Sequence, residues 1–192
     1  MNITAMYFSG TGTTKKVTAA IADELTESKI SQDETAAGEN PGSIKAGIKL
    51  WQRAADIDFT PPAARREIYR FTPDDLVVFG VPVIAGRVPN VLLKFLDTLQ
   101  GGGALAVPVV LYGNRNFDDA LIELRNILQD RGFYAIGAAA FIGEHSFSRI
   151  LAAGRPDSSD MELSRDFARK LAGKIRRLGA AGLREAAPVP VD

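Results

Sequence analysis

The sequence predicts an α/β protein built on a doubly wound parallel sheet with helices on both faces. Short, nearly continuous apolar segments rich in β-branched or aromatic residues alternate along the chain with amphipathic helical stripes. Such apolar segments are typical of strands buried on both faces, and the intervening helices indicate parallel crossover connections. The 192 residues fit one domain with a sizeable core.

Four segments carry the strand pattern, namely 3–8, 76–83, 106–112 and 134–142. A fifth strand at the sheet edge is weakly signalled inside the long segment 28–70, where we rank 57–59 above 67–69. In the same segment Ile44, Ile48 and Trp51 fall at helical spacing. This spacing predicts an inserted helix that packs on the body of the protein, with Trp51 in the contact.

Four helical stripes separate or follow the strands. They consist of Val17, Ile21 and Leu25; Val91, Phe95 and Leu99; Leu121, Leu124 and Leu128; and Leu163, Phe167, Leu171 and Ile175. The last stripe ends among basic residues with Gly179 beyond, as is typical of a helix C-terminus. We therefore expect a domain over 1–178 with a variable insertion and edge strand at 28–70, followed by a loose tail over 179–192.

Composition excludes several classes of function. The 23 basic and 23 acidic residues cancel, so there is no net field to attract nucleic acid or an anionic membrane. The absence of cysteine excludes disulfides, thiolate catalysis and iron–sulfur or zinc sites built on cysteine. A single histidine leaves little for a catalytic triad or a metal cluster, so we predict neither catalytic side chains nor metal ligands. No run is long enough to span a bilayer and no secretion signal is apparent, so we expect a cytoplasmic protein.

The segment 7–16, Tyr-Phe-Ser-Gly-Thr-Gly-Thr-Thr-Lys-Lys, leads from a strand through a glycine turn into a helix. The first amides of a helix have no intrahelical partner, and the helix dipole favours an anion there. Gly10 and Gly12 let the backbone close around a ligand. Lys15 occupies a position that should be glycine in a Walker A loop and in a dinucleotide fingerprint, which excludes both. The segment predicts a phosphate site; the alternative is a simple turn capped by Thr11 or Thr13.

Three further loops follow strand ends and carry unusual residues. They are Pro-Val-Ile-Ala-Gly-Arg-Val-Pro at 82–89, Gly-Asn-Arg-Asn-Phe-Asp-Asp at 113–119 and Gly-Glu-His-Ser-Phe-Ser at 143–148. In open α/β sheets, ligands bind beyond the carboxyl ends of the strands where the strand order reverses. We therefore expect these loops to surround one ligand together with the glycine turn.

Ser9, Thr11, Gly12 and Thr14 match the pattern Ser/Thr-x-Thr-Gly-x-Thr, which resembles the phosphate loop of flavodoxins. With the three other loops, residues 2 to about 178 resemble the flavodoxin domain of a family that joins a flavodoxin to a ferredoxin. The resemblance implies a five-stranded parallel sheet in the order 2-1-3-4-5 and FMN as cofactor. It implies that the first loop holds the phosphate, the second flanks the dimethylbenzene side or one face of the ring, and the third binds the pyrimidine edge.

The cofactor-binding residues implied by the resemblance are Ser9, Gly10, Thr11, Gly12, Thr13, Thr14, Pro82, Val83, Ile84, Ala85, Gly86, Arg87, Tyr112, Gly113, Asn114, Arg115, Phe117, Asp118 and His145. Two features depart from the family. We expect no ferredoxin part in this chain, because a four-cysteine cluster cannot form without cysteine. Ile84 stands where related sequences commonly carry an aromatic residue, so stacking on that face is lost or replaced by aliphatic contact.

The roles of several side chains have two interpretations. Phe117 stacks on the flavin or begins the core face of the next helix, and Asn114 binds the pyrimidine edge or forms the turn. Arg87 and Arg115 contact an anionic partner or the reduced ring, or are solvated. His145 follows the protonation of the flavin or is structural. The Ala85–Gly86 peptide is a candidate switch, because glycine makes a peptide flip inexpensive in free energy.

The resulting hypothesis is an FMN-binding redox protein that exchanges electrons with a partner protein or a small acceptor. One alternative is an NAD(P)H-dependent FMN reductase acting on quinone-like acceptors, which the balanced charge favours. Another is a non-redox module that has kept the fold and lost the flavin. A homodimer is possible under each hypothesis.

Overall fold

The computed structural model describes residues 1–37 and 51–187. Its strands are β1 (Asn2–Tyr7), β2 (Gln52–Arg53), β3 (Ile57–Asp58), β4 (Asp75–Pro82), β5 (Leu105–Tyr112), β6 (Tyr134–Ala135) and β7 (Ala139–Ile142). Its α-helices are α1 (Thr13–Ala37), α2 (Asn90–Leu96), α3 (Ala120–Asp130) and α4 (Ser158–Glu185). The predicted α/β class is confirmed.

Every strand pairing is parallel, and together the strands form one open sheet. Strands β2 and β3 both pair with β1, which pairs on its other side with β4. Strand β5 follows β4, and β6 and β7 both pair with β5. The strand positions therefore follow the predicted order 2-1-3-4-5, with each outer position divided between two short strands. The order reverses between β1 and β4, where such sheets bind ligands.

The edge strand predicted at 57–59 is confirmed by β3, and β2 extends the same edge without having been predicted. Arg53 lies at the break between them, where its Nε donates to Asp23 of α1 at 2.7 Å and its Nη1 donates to the carbonyl of Ala54 at 2.7 Å. Trp51 packs partly buried against the core, but it is not helical and directly precedes β2. Ile44 and Ile48 lie outside the described residues.

The strand predicted over 134–142 is likewise divided. Between β6 and β7, the carbonyl of Ile136 accepts a hydrogen bond from Lys174 Nζ of α4 at 2.8 Å. A Cβ atom on Gly137 would lie 3.2 Å from Leu171 Cδ1. The chain leaves the ladder here because α4 packs closely on it and provides a donor for the freed carbonyl.

Helices cover both faces of the sheet. Residues of α1 and α4 form one core with alternate residues of the strands, including Ile21, Leu171 and Val107. Residues of α2 and α3 form a second core with the other strand residues, including Leu92, Leu124 and Phe79. This division follows from the alternation of side chains along each strand.

Two predicted helical stripes are displaced. Val91 is 64% exposed, and α2 buries Leu92, Phe95 and Leu96 instead, with Leu99 buried beyond the end of the helix. Leu163 is 62% exposed. Helix α4 buries smaller side chains on the same face, Ser164, Ala168 and Ala172. Small residues there allow close packing against α1, which the apolar period alone did not indicate.

The expectation of a loose terminus is wrong for residues 180–185, which are helical. Gly179, with φ 66°, interrupts α4 as the sequence predicted, but the helix resumes and buries Leu183. Arg184 donates to the carbonyls of Gly103 at 3.1 Å and Pro73 at 2.8 Å. These bonds tie the last turn of α4 to the loops that enter β4 and β5.

No helix within the described ranges is long and apolar enough to cross a bilayer. In the same ranges, no three His, Asp or Glu side chains are grouped so that they could hold a metal ion.

Candidate functional site

The turn between β1 and α1 forms the first wall of the site. Ser9 Oγ accepts a hydrogen bond from the amide of Lys15 at 3.0 Å, so Ser9 caps the helix rather than Thr11 or Thr13. The Ser9 amide in turn donates to Thr60 Oγ1 at 2.8 Å. Thr60 lies just after β3 and was not predicted to belong to the site. The edge strand therefore holds the start of the turn in place.

Five consecutive amides in this turn, from Gly10 to Thr14, donate no hydrogen bond to any residue that the structure describes. The φ angle of Gly12 is 89°, a conformation that glycine adopts without strain. Successive unpaired amides at a helix start form a concavity that binds anions. This part of the site fits a phosphate group.

Two hydroxyl groups border the unpaired amides. Thr11 Oγ1 and Thr13 Oγ1 lie 3.2 Å apart, and both side chains line a cavity of about 170 Å³. Thr14 lines the same cavity but is buried. A Cβ atom on Gly80 of β4 would lie 3.0 Å from the Thr14 methyl group. Thr14 therefore also packs α1 against the sheet, in addition to its predicted role.

The second loop reverses direction over Ala85 and Gly86, whose φ angles are 51° and 73°. The amide of Ile84 donates to the carbonyl of Arg87 at 3.0 Å, and the amide of Arg87 donates back to the carbonyl of Ile84 at 3.1 Å. Two positive φ angles between such paired residues are typical of a tight type I′ turn. A Cβ atom on Gly86 would lie 2.3 Å from Asp118 Oδ2, so the second and third loops are in direct contact.

Arg87, a predicted cofactor-binding residue of the second loop, pairs with a residue of α3 instead. Arg87 donates from Nε and Nη2 to the carboxylate of Glu123, at 3.0 and 2.8 Å. It lines a separate cavity beside α3. By contrast, Arg115 lines the same cavity as Ile84 and has no ion-pair partner among the described residues.

In the third loop, Tyr112 and Phe117 form an edge-to-face pair with ring centroids 5.4 Å apart. Tyr112 lines the site, whereas Phe117 is partly buried against the core that contains α3. The contacts of Phe117 therefore support packing on the core rather than stacking on a flavin. Asn114 has φ 56°, as suits its turn role, and the neighbouring Asn116 lines the cavity instead.

The fourth loop completes the site. His145 lies directly against Gly113, where an added Cβ atom would be 2.7 Å from His145 Cδ2. The amide of Phe147 donates to His145 Nδ1 at 3.1 Å, so Nδ1 acts as an acceptor. Ser146 and Phe147 also line the site, although only His145 of this loop was predicted to do so.

These four loops enclose two adjoining cavities. The smaller one reaches the unpaired amides, and a larger one of about 580 Å³ lies between the second, third and fourth loops. The two share the residues Val83, Ile84, Tyr112, Gly113 and Ser146. A third cavity of about 380 Å³ adjoins them between Thr11 and the fourth loop. The candidate site is therefore elongated, with the unpaired amides at one end and a wide mouth at the other.

The structure brings most of the predicted residues to these cavities, namely Gly10, Thr11, Thr13, Thr14, Pro82, Val83, Ile84, Ala85, Gly86, Tyr112, Gly113, Arg115, Asp118 and His145. It does not bring Ser9, Gly12, Arg87, Asn114 or Phe117 to the cavity walls. Ser9 and Gly12 instead shape the turn that presents the free amides.

Comparison with solved structures identifies the architecture. An archaeal flavodoxin aligns over 92% of this chain and 99% of its own, with TM-score 0.55 and 14% identity. Flavodoxin 2 from Bacillus cereus, in its oxidised form, aligns over 91% and 99%, with TM-score 0.55 and 16% identity. The chain has a flavodoxin-like fold.

A further match to this flavodoxin-like fold is an NADH:FMN oxidoreductase in its apo form, with TM-score 0.57 and 17% identity. The match covers 90% of this chain and 89% of that one. Neither the comparison with protein-family models nor that with curated proteins gives a match. The flavodoxin-like assignment therefore depends on the strand order and the near-complete coverage.

Proposed function

We propose that this protein binds FMN and transfers electrons to or from a partner protein or a small acceptor. The observation that carries the proposal is the row of five unpaired amides from Gly10 to Thr14, which opens into a cavity flanked by three loops. The amides suit a terminal phosphate, and the larger cavity suits a flat aromatic head. The flavodoxins and the FMN oxidoreductase of similar fold support this choice of ligand.

In this proposal each wall has a defined task. The amides of the turn, with the hydroxyls of Thr11 and Thr13, hold the phosphate. Ile84 and Tyr112 flank the flavin ring, and Arg115 places a positive charge at the cavity that the ring occupies. Bound FMN would supply the electron-transfer chemistry, while the protein supplies position and electrostatics.

The proposal is tested by measuring the affinity of the full chain for FMN and for riboflavin, which lacks the phosphate. We expect FMN to bind at least about tenfold more tightly, because charge-assisted hydrogen bonds to a phosphate contribute more than 1.4 kcal/mol in total. The Thr11→Val/Thr13→Val variant should lose part of this preference. Both side chains reach the cavity, so they are a cleaner choice than the buried Thr14.

Ser159→Ala is the matched control, because Ser159 also lies at a helix start but away from the site. It should bind both flavins as the unaltered chain does. Equal affinity of the unaltered chain for FMN and riboflavin, or no binding of either, would contradict the proposed phosphate site. Unchanged FMN affinity in the double variant would remove the two hydroxyls from it.

The second candidate is an NAD(P)H-dependent FMN reductase. The zero net charge of the chain favours it over a carrier that docks through an acidic surface. Arg115 and Arg149, which line adjoining cavities, suit an anionic nucleotide. Anaerobic bleaching of the bound flavin by NADPH alone would select the reductase. Photoreduction without any reaction with NADPH would select the carrier, and a chain that retains no flavin would indicate a non-redox module.

A further inference from the structure

The fourth loop is a compact excursion closed at its base. The amide of Glu144 donates to the carbonyl of Arg155 at 3.0 Å, and the amide of Gly154 donates to Glu144 Oε1 at 2.9 Å. The Arg155 guanidinium forms a salt bridge with Asp160 in the first turn of α4. The base of the loop is therefore fixed to the body of the protein, while residues 146–151 project from it.

The projecting part carries two large apolar side chains that bury almost nothing. Phe147 and Ile150 are each 91% exposed, more than any other large apolar side chain within the described ranges. Apolar side chains this exposed contribute hydrophobic free energy only when a ligand or another surface covers them. The two residues differ in position, because Phe147 lines the site and Ile150 lines none of its three cavities.

Phe147 borders both the large cavity and the one beside Thr11. Its backbone amide donates to His145 Nδ1, and its ring lies edge-to-face with the His145 ring, with centroids 6.3 Å apart. His145 lies against Gly113, which places the base of Phe147 beside the third loop. Because Phe147 lines both cavities, its ring lies beside any ligand that fills them.

The other aromatic candidates for covering a flavin are placed differently. Phe117 packs against the core that contains α3. Position 84, in the second loop, carries the aliphatic residue Ile84. Tyr112 lines the cavity and pairs edge-to-face with Phe117, and it is less exposed than Phe147. Phe147 is the exposed aromatic side chain at the mouth and can offer the face of its ring.

We infer that Phe147 closes over the ring of the bound flavin and supplies the aromatic contact that position 84 lacks. This inference rests on the proposed function. It assigns to the loop after the last strand the control of flavin retention, and it explains why a large aromatic side chain stands exposed beside an elongated ligand cavity.

The test compares the dissociation constants of FMN and riboflavin for the full chain and for Phe147→Ala, Phe147→Trp and Ile150→Ala, measured by equilibrium dialysis. We expect Phe147→Ala to weaken both flavins by a similar factor of about ten, because the lost contact is to the ring that they share. Phe147→Trp should bind as tightly as the unaltered chain or more tightly. Ile150→Ala, equally exposed, should stay within about twofold.

Phe147→Ala binding of both flavins within about twofold of the unaltered chain would overturn the inference. Weakening of FMN but not riboflavin would also overturn it, because the loop would then serve the phosphate. A change in self-association without a change in affinity would assign Phe147 to a protein contact instead. Failure of the unaltered chain to bind FMN would overturn the proposed function itself, so the two failures are distinguishable.

Discussion

The carboxylate of Glu123 receives the guanidinium of Arg87 through two hydrogen bonds and also accepts from the amide of Val88, at 2.8 Å to Oε2. Glu123 lies in the first turn of α3, where the helix dipole favours a negative charge. The hydrogen bonds from Arg87 lower the pKa of Glu123, with a further contribution from the Val88 amide. One side chain of α3 therefore anchors the second loop of the site.

We expect Glu123→Ala to lower the free energy of unfolding by about 1–3 kcal/mol, because the amide of buried Val88 loses its acceptor. Arg87→Ala should cost less than about 1 kcal/mol, since the Arg87 side chain is 56% exposed and an ion pair with an exposed partner contributes little. Urea denaturation measures both values. Arg87→Ala should also leave FMN affinity nearly unchanged, and a large loss of affinity there would show that the guanidinium leaves Glu123 for the ligand.

Gly86 and Gly154 form a matched pair, because both have φ 73°. Alanine at either position incurs the cost of the left-handed conformation, about 1–2 kcal/mol. Only at Gly86 does the new methyl group also meet a side chain, that of Asp118, whereas nothing lies within 4 Å at Gly154. Gly86→Ala should therefore destabilise the protein by about 1–3 kcal/mol more than Gly154→Ala. Equal losses in thermal or urea denaturation would contradict the close contact between the second and third loops.

Asp160 predicts a dependence of stability on acid pH. Its side chain is only 5% exposed, and hydrogen bonds from Arg155 and from the Asp157 amide lower its pKa against the opposing effect of burial. The unfolded chain, with an Asp pKa of about 3.9, then binds more protons than the folded chain just below that value. The stabilisation is complete above about pH 5 and is lost as the pH falls through the lowered pKa.

Accordingly, Asp160→Asn should be less stable than the unaltered chain by about 1–3 kcal/mol at pH 7. The difference should shrink as the pH is lowered toward about 2, because the unaltered chain then loses the same charge. Equilibrium unfolding across this pH range measures the difference. A difference independent of pH would mean that Asp160 is not ionised in the folded protein.

The sequence alone determined the architecture and the location of the candidate site. Continuous apolar segments between amphipathic stripes fix strands buried on both faces, since each such segment must exclude water on both sides. The glycine turn before α1 predicted an anion site because free amides at a helix start are a local consequence of the chain. These features depend on residues close together in sequence, such as Gly12 and Thr13.

Only the tertiary structure decided which side chains face the candidate cavities. Arg87 turns to Glu123 and Phe117 turns to the core, although both lie in loops that converge on the site. Thr60 holds Ser9 from 51 positions away, and Lys174 binds the carbonyl of Ile136 at the point where the last strand is divided. Such partners come from distant parts of the chain. The acceptors and cavities between which a side chain chooses exist only after the chain has packed, so no local periodicity or propensity encodes that choice.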